Sequence, residues 1–261
     1  MTAQRFRSFF LFLFLVVSLA GCCTAPPNGI TQVATIDALL SGVYDGHMSL
    51  GDLRKAGDFG IGTFEGLDGE MILINGRFYQ VRADGHVYEP ANSIKTPFAC
   101  VTRFKPNCQK QINHSLNSKQ LEKEIDRLVP QPNQFCAILL HGTFSHVWTR
   151  SIPAQKKPYP TLVEATKTQS VFELSEVRGT LIGFRSPAFV KGINVPGYHL
   201  HFLADDRSSG GHVLDFEMSK GVLKIDSLHD WLHLYLPQES DAFGQADLTV
   251  DRSTELQAVE K

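Results

Sequence analysis

The chain has no Cys-x-x-Cys pair, so it has no basis for the usual cysteine-based zinc cluster. It has no excess of basic charge. The formal net charge is −2, whereas a nucleic-acid binder normally presents a basic face, so nucleic acid is not an expected partner. No Lys-Ser or Lys-Thr follows the glycine-rich stretch Gly57-Asp58-Phe59-Gly60-Ile61-Gly62-Thr63-Phe64, and no helix is predicted after it, which rules out a phosphate-binding loop. The chain has no internal repeat and no low-complexity segment. Tryptophan is scarce, with two residues against 18 phenylalanines, which points to a phenylalanine-packed, sheet-rich interior. With 261 residues, 43% of them hydrophobic, there is enough chain for a sizeable core in one large or two smaller domains.

The only long apolar run lies at the start. Arg5 and Arg7 supply positive charge, Phe9 to Val17 is unbroken hydrocarbon, and Leu19-Ala20-Gly21-Cys22 follows. The run is too short to span a bilayer stably and has the layout of a signal peptide. The last four residues resemble a bacterial lipobox. Residues 1–22 are therefore expected to be a lipoprotein signal peptide, with Cys22 lipidated and residues 23–29 a tether. The protein would be exported and membrane-anchored, facing the periplasm or the cell exterior; the alternative is an ordinary signal peptide cut nearby. Export makes disulfides permissible. Cys100 and Cys108 bracket a loop that a bridge could close, and the odd count, with Cys136, leaves at least one thiol free.

Along the mature chain, apolar spacing over Ile30 to Leu40 predicts a helix ended by Gly42. A second short helix is expected over Leu50 to Lys55. The glycines of 57–64 read as bends that let backbone pack closely. Met71 to Ile74, Asn75-Gly76 and Arg77 to Val81 form a hairpin signal, with Glu70 opening its first strand and Asp84-Gly85 offering another turn. Phe98 to Phe104 reads as a strand. Asn117 to Leu128 reads as an amphipathic helix capped by Asn117 or Ser118. Strands are expected over Phe135 to Leu140, Phe144 to Arg150, Thr180 to Phe184, Gly221 to Ile225 and Trp231 to Leu236. Short helices are expected over Thr161 to Lys167 and, capped by Ser253, over Thr254 to Val259. The second half lacks an alternating strand–helix pattern, so its sheet should be antiparallel. His141 and His146 have no spaced partners and read as structural, His47 reads as a loop residue, and His229 and His233 read as core or surface histidines.

The concentrated signal is Tyr198-His199-Leu200-His201-Phe202 followed by Gly210-Gly211-His212. In a strand, His199 and His201 share one face while Tyr198, Leu200 and Phe202 take the other. If the intervening polar turn centres between Asp206 and Arg207, His201 and His212 face each other across a hairpin, about 5 Å apart at Cβ. Three neutral imidazoles with an open fourth position make the usual catalytic zinc site, although imidazole also suits copper, iron and nickel. Arg150, on a sheet face, can clamp a carboxylate.

Taken together, several stretches resemble acetolactate decarboxylases from about Gln32 to Glu260: Gly42-Val43-Tyr44-Asp45-Gly46, the 57–64 stretch, Leu67-Asp68-Gly69-Glu70, Gly197 to Phe202 and Ser209-Gly210-Gly211-His212-Val213. The resemblance implies a two-domain α/β (α+β) fold, with a mixed sheet in an N-terminal domain (30–175) and an antiparallel sheet carrying the histidine hairpin in a C-terminal domain (176–261). It implies Zn2+ on His199, His201 and His212, catalytic roles for Glu70, Arg150 and Glu260 (Glu255 being the weaker placement for the last), and substrate contacts from Thr63 and Arg150. The implied reaction converts 2-acetolactate to acetoin and CO2, as in acetoin and butanediol metabolism. Loss of CO2 from this β-keto acid leaves an enediolate, which a Lewis-acid metal can stabilise. No organic cofactor is called for. The lipid anchor would be the sole membrane contact, and a homodimer is compatible with the sequence. Two alternatives differ in class. A cupin-type metal oxygenase would want a carboxylate shortly after the second histidine, where Asp205 and Asp206 stand. A non-catalytic zinc-binding envelope lipoprotein would bind metal without turnover.

Overall fold

A computed structural model describes residues 29–237 and 240–260. The signal peptide, Cys22 and tether residues 23–28 lie outside the described residues. In chain order the elements begin with β1 (Ile30–Val33), α1 (Ile36–Leu40), β2 (Met48–Ser49), α2 (Leu50–Ala56), β3 (Phe59–Thr63), β4 (Glu70–Ile74), β5 (Arg77–Val81), β6 (Val87–Tyr88), β7 (Lys95–Thr96) and β8 (Ala99–Thr102). They continue with β9 (Cys108–Ile112), β10 (Leu116–Asn117), α3 (Ser118–Leu128), β11 (Phe135–Ser151), α4 (Leu162–Thr166), β12 (Ser170–Ser186), β13 (Gly197–Ala204), β14 (Gly210–Leu228), β15 (Leu232–Tyr235), α5 (Asp241–Gln245) and α6 (Ser253–Val259).

Among the described residues, the first sheet has seven strands in the order β15-β1-β8-β3-β4-β5-β6. It is mixed because β15 returns from late in the chain to lie parallel to β1, whereas its other pairings are antiparallel. The second sheet is antiparallel and built on three long strands, β11, β12 and β14. Because β13 pairs with both β12 and β14, strands β11 to β14 close on themselves. This is the mixed-plus-antiparallel α+β architecture that the resemblance implies. The sheets do not divide at 175/176, however: that boundary falls inside β12, the second sheet begins at Cys108, and β15 belongs to the first.

Alternation along each strand sets the layers. On β11, Cys136, Ile138 and Leu140 face a cluster that includes Leu121 and Ile125 of α3, while Ala137 faces the first sheet. Ile30, Phe59, Ile61 and Ile72 meet Ala137, Ile182, Phe184 and Leu228 between the sheets. Leu50 and Leu53 of α2 cover the far face of the first sheet. A fourth cluster joins α1, α4 and α6 through Ile36, Leu39, Leu40, Leu162, Leu256 and Val259. Asn117 caps α3 with a reciprocal Gln120 bond, as a capping box does.

Several expectations are corrected. Ile30–Val33 is a strand, because Ala34 takes a left-handed φ of 54° and Thr35 starts the helix only afterwards. The bends expected over 57–64 are confined to Asp58, and Phe59–Thr63 is extended. That segment is the buried strand β3, whose glycines allow close approach: a Cβ on Gly62 would meet the Phe98 carbonyl oxygen at 2.4 Å. The strands expected at 135–140 and 144–150 are one, and 221–225 is the end of β14. Ser253 does not cap α6. The N-cap is Arg252, and the Ser253 hydroxyl bonds to Asp251. Cys100 and Cys108 are free thiols, as is Cys136. Cys100 is buried in the first sheet beside Asn194 while Cys108 starts β9 of the second, so no bridge closes that loop.

Candidate active site

The histidine hairpin folds as its spacing predicts. His201 pairs with His212 across β13 and β14, and the turn closes with the Ala204 amide donating to the Ser209 carbonyl. Leu200 and Phe202 point into the α3-side cluster, which leaves His199 and His201 on the face toward the first sheet. The three ring centroids stand 5.0 to 5.5 Å apart, and one ligand nitrogen from each ring lies within 4.8 Å of the others. His201 Nδ1 sits 2.9 Å from the Met71 carbonyl oxygen. A carbonyl only accepts, so Nδ1 carries the proton and Nε2 presents a lone pair. That Nε2 is buried and has no hydrogen-bond partner among the described residues.

The first sheet supplies the opposite wall. Glu70 opens β4, paired with Thr63 on β3. Glu70 is buried, with Oε2 3.5 Å from His201 Nε2 and Oε1 3.3 Å from Arg150 Nη1. Arg150 is paired with His212 across β11 and β14, which aims its guanidinium into the same space. Its Nη2 donates to the Val259 carbonyl oxygen at 2.8 Å, which ties the end of α6 to the site, while its buried Nε has no partner among the described residues. Glu260 follows directly. Its Oε2 lies 3.9 Å from His199 Nε2 and 3.8 Å from His212 Nε2. Thr63 lines the cavity, with its hydroxyl donating to the Gly69 carbonyl at 2.8 Å.

The electrostatics follow from burial. Desolvation, aided by the Arg150 charge, holds His199 down at about 3 and keeps His201 and His212 well below the ordinary imidazole range, the latter two also through neighbouring triad rings. All three rings are therefore neutral, the form that ligates a metal. Burial also pushes Glu260 up to about 7 against the pull of Arg150. Glu70 likewise rises to about 7 by burial, against Arg150 and with a further push from Glu260. Two carboxyl groups near neutrality can each hold or release a proton at ordinary pH. An orphaned buried nitrogen, three converging neutral imidazoles and adjacent carboxylates fit a divalent transition metal such as zinc.

The structure thus brings together Thr63, Glu70, Arg150, His199, His201, His212 and Glu260 around one cavity. Glu255 is elsewhere, paired with Arg252 at 3.0 Å. Asp205 and Asp206 lie at the exposed hairpin turn, with Asp205 engaged by Arg178, so neither can complete a cupin-like ligand set. His233 is exposed and stacked on Trp231, and His141 bonds to Thr180 and Arg178. Sequence reasoning missed the apolar walls, among them Ile36, Leu39, Phe98, Ile152 and Leu162. It also missed the backbone carbonyls of Met71 and Val259. Only the helical spacing of Ile36 and Leu39 hinted at any of these.

The chain is similar to known proteins over most of its length. Residues 30–250 match the family "Alpha-acetolactate decarboxylase". The chain is 49% identical to the alpha-acetolactate decarboxylase of Methanosarcina mazei over 230 residues, covering 88% of this chain and 79% of that protein. It is 44% identical to the Raoultella terrigena enzyme of the same name, covering 90% of each. The crystal structure of alpha-acetolactate decarboxylase from Bacillus subtilis strain 168 superposes with a TM-score of 0.86 at 41% identity, covering 89% of this chain and 99% of that one. By family match, sequence identity and fold, the chain belongs to the alpha-acetolactate decarboxylase family.

Proposed function

We propose that this chain decarboxylates 2-acetolactate to acetoin and CO2, as a step of acetoin formation, with a zinc ion held by His199, His201 and His212. Family membership over most of the chain supports the decarboxylase activity. The observation that carries the zinc reading is the triad: neutral imidazoles with converging nitrogens, one of them buried and unpartnered. When bound, the ion supplies a Lewis acid that draws developing negative charge onto the substrate's oxygens.

The chain's own residues do the rest. Arg150 meets the substrate anion: its buried Nε–H has no acceptor among the described residues, and the strand pairing and the Val259 carbonyl fix its plane. Thr63 and the apolar wall of Ile36, Leu39, Phe98 and Leu162 position the carbon skeleton and exclude water. When the carboxylate leaves as CO2, its bonding electron pair passes to C2 and is shared with the neighbouring carbonyl. C2 must then receive a proton. Glu260 and Glu70, both held near neutrality, are the groups that can carry it, and donation from one carboxyl to C2 yields acetoin.

The test is a colorimetric acetoin assay on the purified protein with 2-acetolactate, run with and without a chelator while dissolved oxygen is recorded. Acetoin formation without oxygen uptake, abolished by the chelator, is the expected result. Oxygen consumption would favour an oxygenase. Bound zinc without acetoin would favour a non-catalytic zinc-binding protein.

A further inference from the structure

We propose that 2-acetolactate reaches the histidine site through the groove between α6 and the outer face of the β13–β14 hairpin, with the Glu260 side chain as the gate between groove and cavity. The identity of the substrate rests on the decarboxylase reading; the route rests on the shape of the molecule. The cavity around the histidines measures about 40 Å³, little more than the ~30 Å³ that one water occupies in the liquid. 2-Acetolactate has several times the bulk of a water, so a part of the wall must move to admit it. Every residue lining that cavity is buried except His199 and Glu260, which are partly exposed. Solvent therefore comes nearest the triad at these two side chains. On the other side, the apolar wall is closed by the packing of α1, α4 and α6 through Ile36, Leu39 and Leu162.

Outside Glu260 lies a groove of about 720 Å³, within the roughly 300–1,000 Å³ of sites that take small molecules. Among the described residues, Glu260 is the one that lines both spaces. The groove floor is the hairpin face that carries Tyr198, Leu200 and Phe216, the face turned away from the triad. On α6, Ser253, Leu256, Gln257 and Glu260 line the groove, and their i, i+3, i+4, i+7 spacing is that of one helical face. The backbone of α6 is pinned: Leu256 and Val259 are buried, and Arg150 holds the Val259 carbonyl at 2.8 Å. The Glu260 carboxylate lies beyond that pin. Its Oε2 stands 3.8 Å from His212 Nε2 and 3.9 Å from His199 Nε2, outside hydrogen-bond reach. Turning this side chain aside joins the two spaces without undocking the helix. When it swings back behind the substrate, it shuts water out and returns the carboxyl group to the place where C2 needs its proton.

The test narrows the groove without touching the cavity. Gln257→Trp does so from α6, and Ala188→Trp does so from the short turn Ala188–Val190, away from the helix. Ala258→Trp, exposed on α6 and lining neither space, is the control. Two quantities are measured on the full chain loaded with zinc: the kinetics of acetoin formation, and the rate at which zinc passes to EDTA, followed with an indicator dye. Both groove variants should lose kcat/KM several-fold with kcat nearer wild type, and should release zinc several-fold more slowly. Their zinc content and unfolding midpoint should stay at wild-type values, and Ala258→Trp should match wild type throughout. Unchanged kcat/KM and zinc release in Gln257→Trp and Ala188→Trp overturn the route. Slowed release in the groove variants of a protein that makes no acetoin upholds the route and removes the decarboxylase reading. Two further variants test the gate. Glu260→Ala, which opens the passage, should speed zinc release several-fold, and Glu260→Gln, which keeps the bulk, should not. Equal acceleration in both would assign Glu260 to holding the metal and overturn the gate.

Discussion

Glu260 is the penultimate residue of the chain, and its neighbours decide whether it does chemistry. Leu256 and Val259 dock α6 into the cluster around Ile36, Leu39 and Leu162, and Arg150 grips the Val259 carbonyl, so the carboxylate is delivered to the histidines and does not fray into solvent. Glu260→Gln should keep the fold and the metal yet lose turnover on the order of 10²–10⁴-fold, the usual contribution of a general acid or base. Glu255→Gln removes only an i,i+3 pair with Arg252 and should leave turnover near wild type. Zinc content and single-substrate kinetics on both variants check this, and a large loss at Glu255 alone would contradict it. His199→Ala, His201→Ala and His212→Ala should each lose most of the bound zinc and nearly all activity, with His201→Ala also removing the Nδ1–H that reaches the Met71 carbonyl. His233→Ala, exposed and stacked on Trp231, should keep both. Full zinc occupancy in any triad variant would remove that residue from the ligand set.

At the scale of elements, the site depends on backbone that only glycine permits. Gly211 directly precedes His212 on β14 with φ +131°, and a Cβ there would meet the Arg150 carbonyl oxygen at 2.6 Å. Gly211→Ala should destabilise the fold by about 1–3 kcal/mol through strain and crowding and should weaken zinc retention by displacing the strand that carries His212. Denaturant unfolding read beside metal content checks both, and an unchanged midpoint would contradict it. The histidine hairpin was readable in the sequence because strand alternation and a short polar turn are local rules, and they place His201 opposite His212 without further information. Glu70 was not readable in the same way. At the end of a hairpin strand it looks solvated, and only the packing of the second sheet against the first buries it. The strand at Ile30–Val33 was hidden for a similar reason: its apolar spacing continues smoothly into α1, and the pairing that makes it a strand comes from β8 and from β15, some 200 residues away in the chain. The close backbone packing read into the glycines of 57–64 holds at Gly60 and Gly62, but over Phe59–Thr63 it occurs between paired strands and not at bends.

At the scale of the whole molecule, each layer supplies one part of the site. The second sheet provides the three imidazoles and Arg150, the first provides Glu70 and Thr63, and the last helix brings Glu260. No layer holds a complete set, so on the proposed function the face-to-face packing of the sheets and the docking of α6 are conditions of activity as well as of stability. On the proposed function, this assembled triad holds the metal on which decarboxylation depends. The most direct measurement strips the purified protein of metal with a chelator, removes the chelator, and titrates zinc back while acetoin formation from 2-acetolactate is followed. The expected result is negligible activity in the stripped protein, a rise proportional to added zinc, a plateau at one zinc per chain, and no recovery in His201→Ala under the same titration. Undiminished acetoin formation by the metal-free protein, or full recovery in His201→Ala, would contradict it.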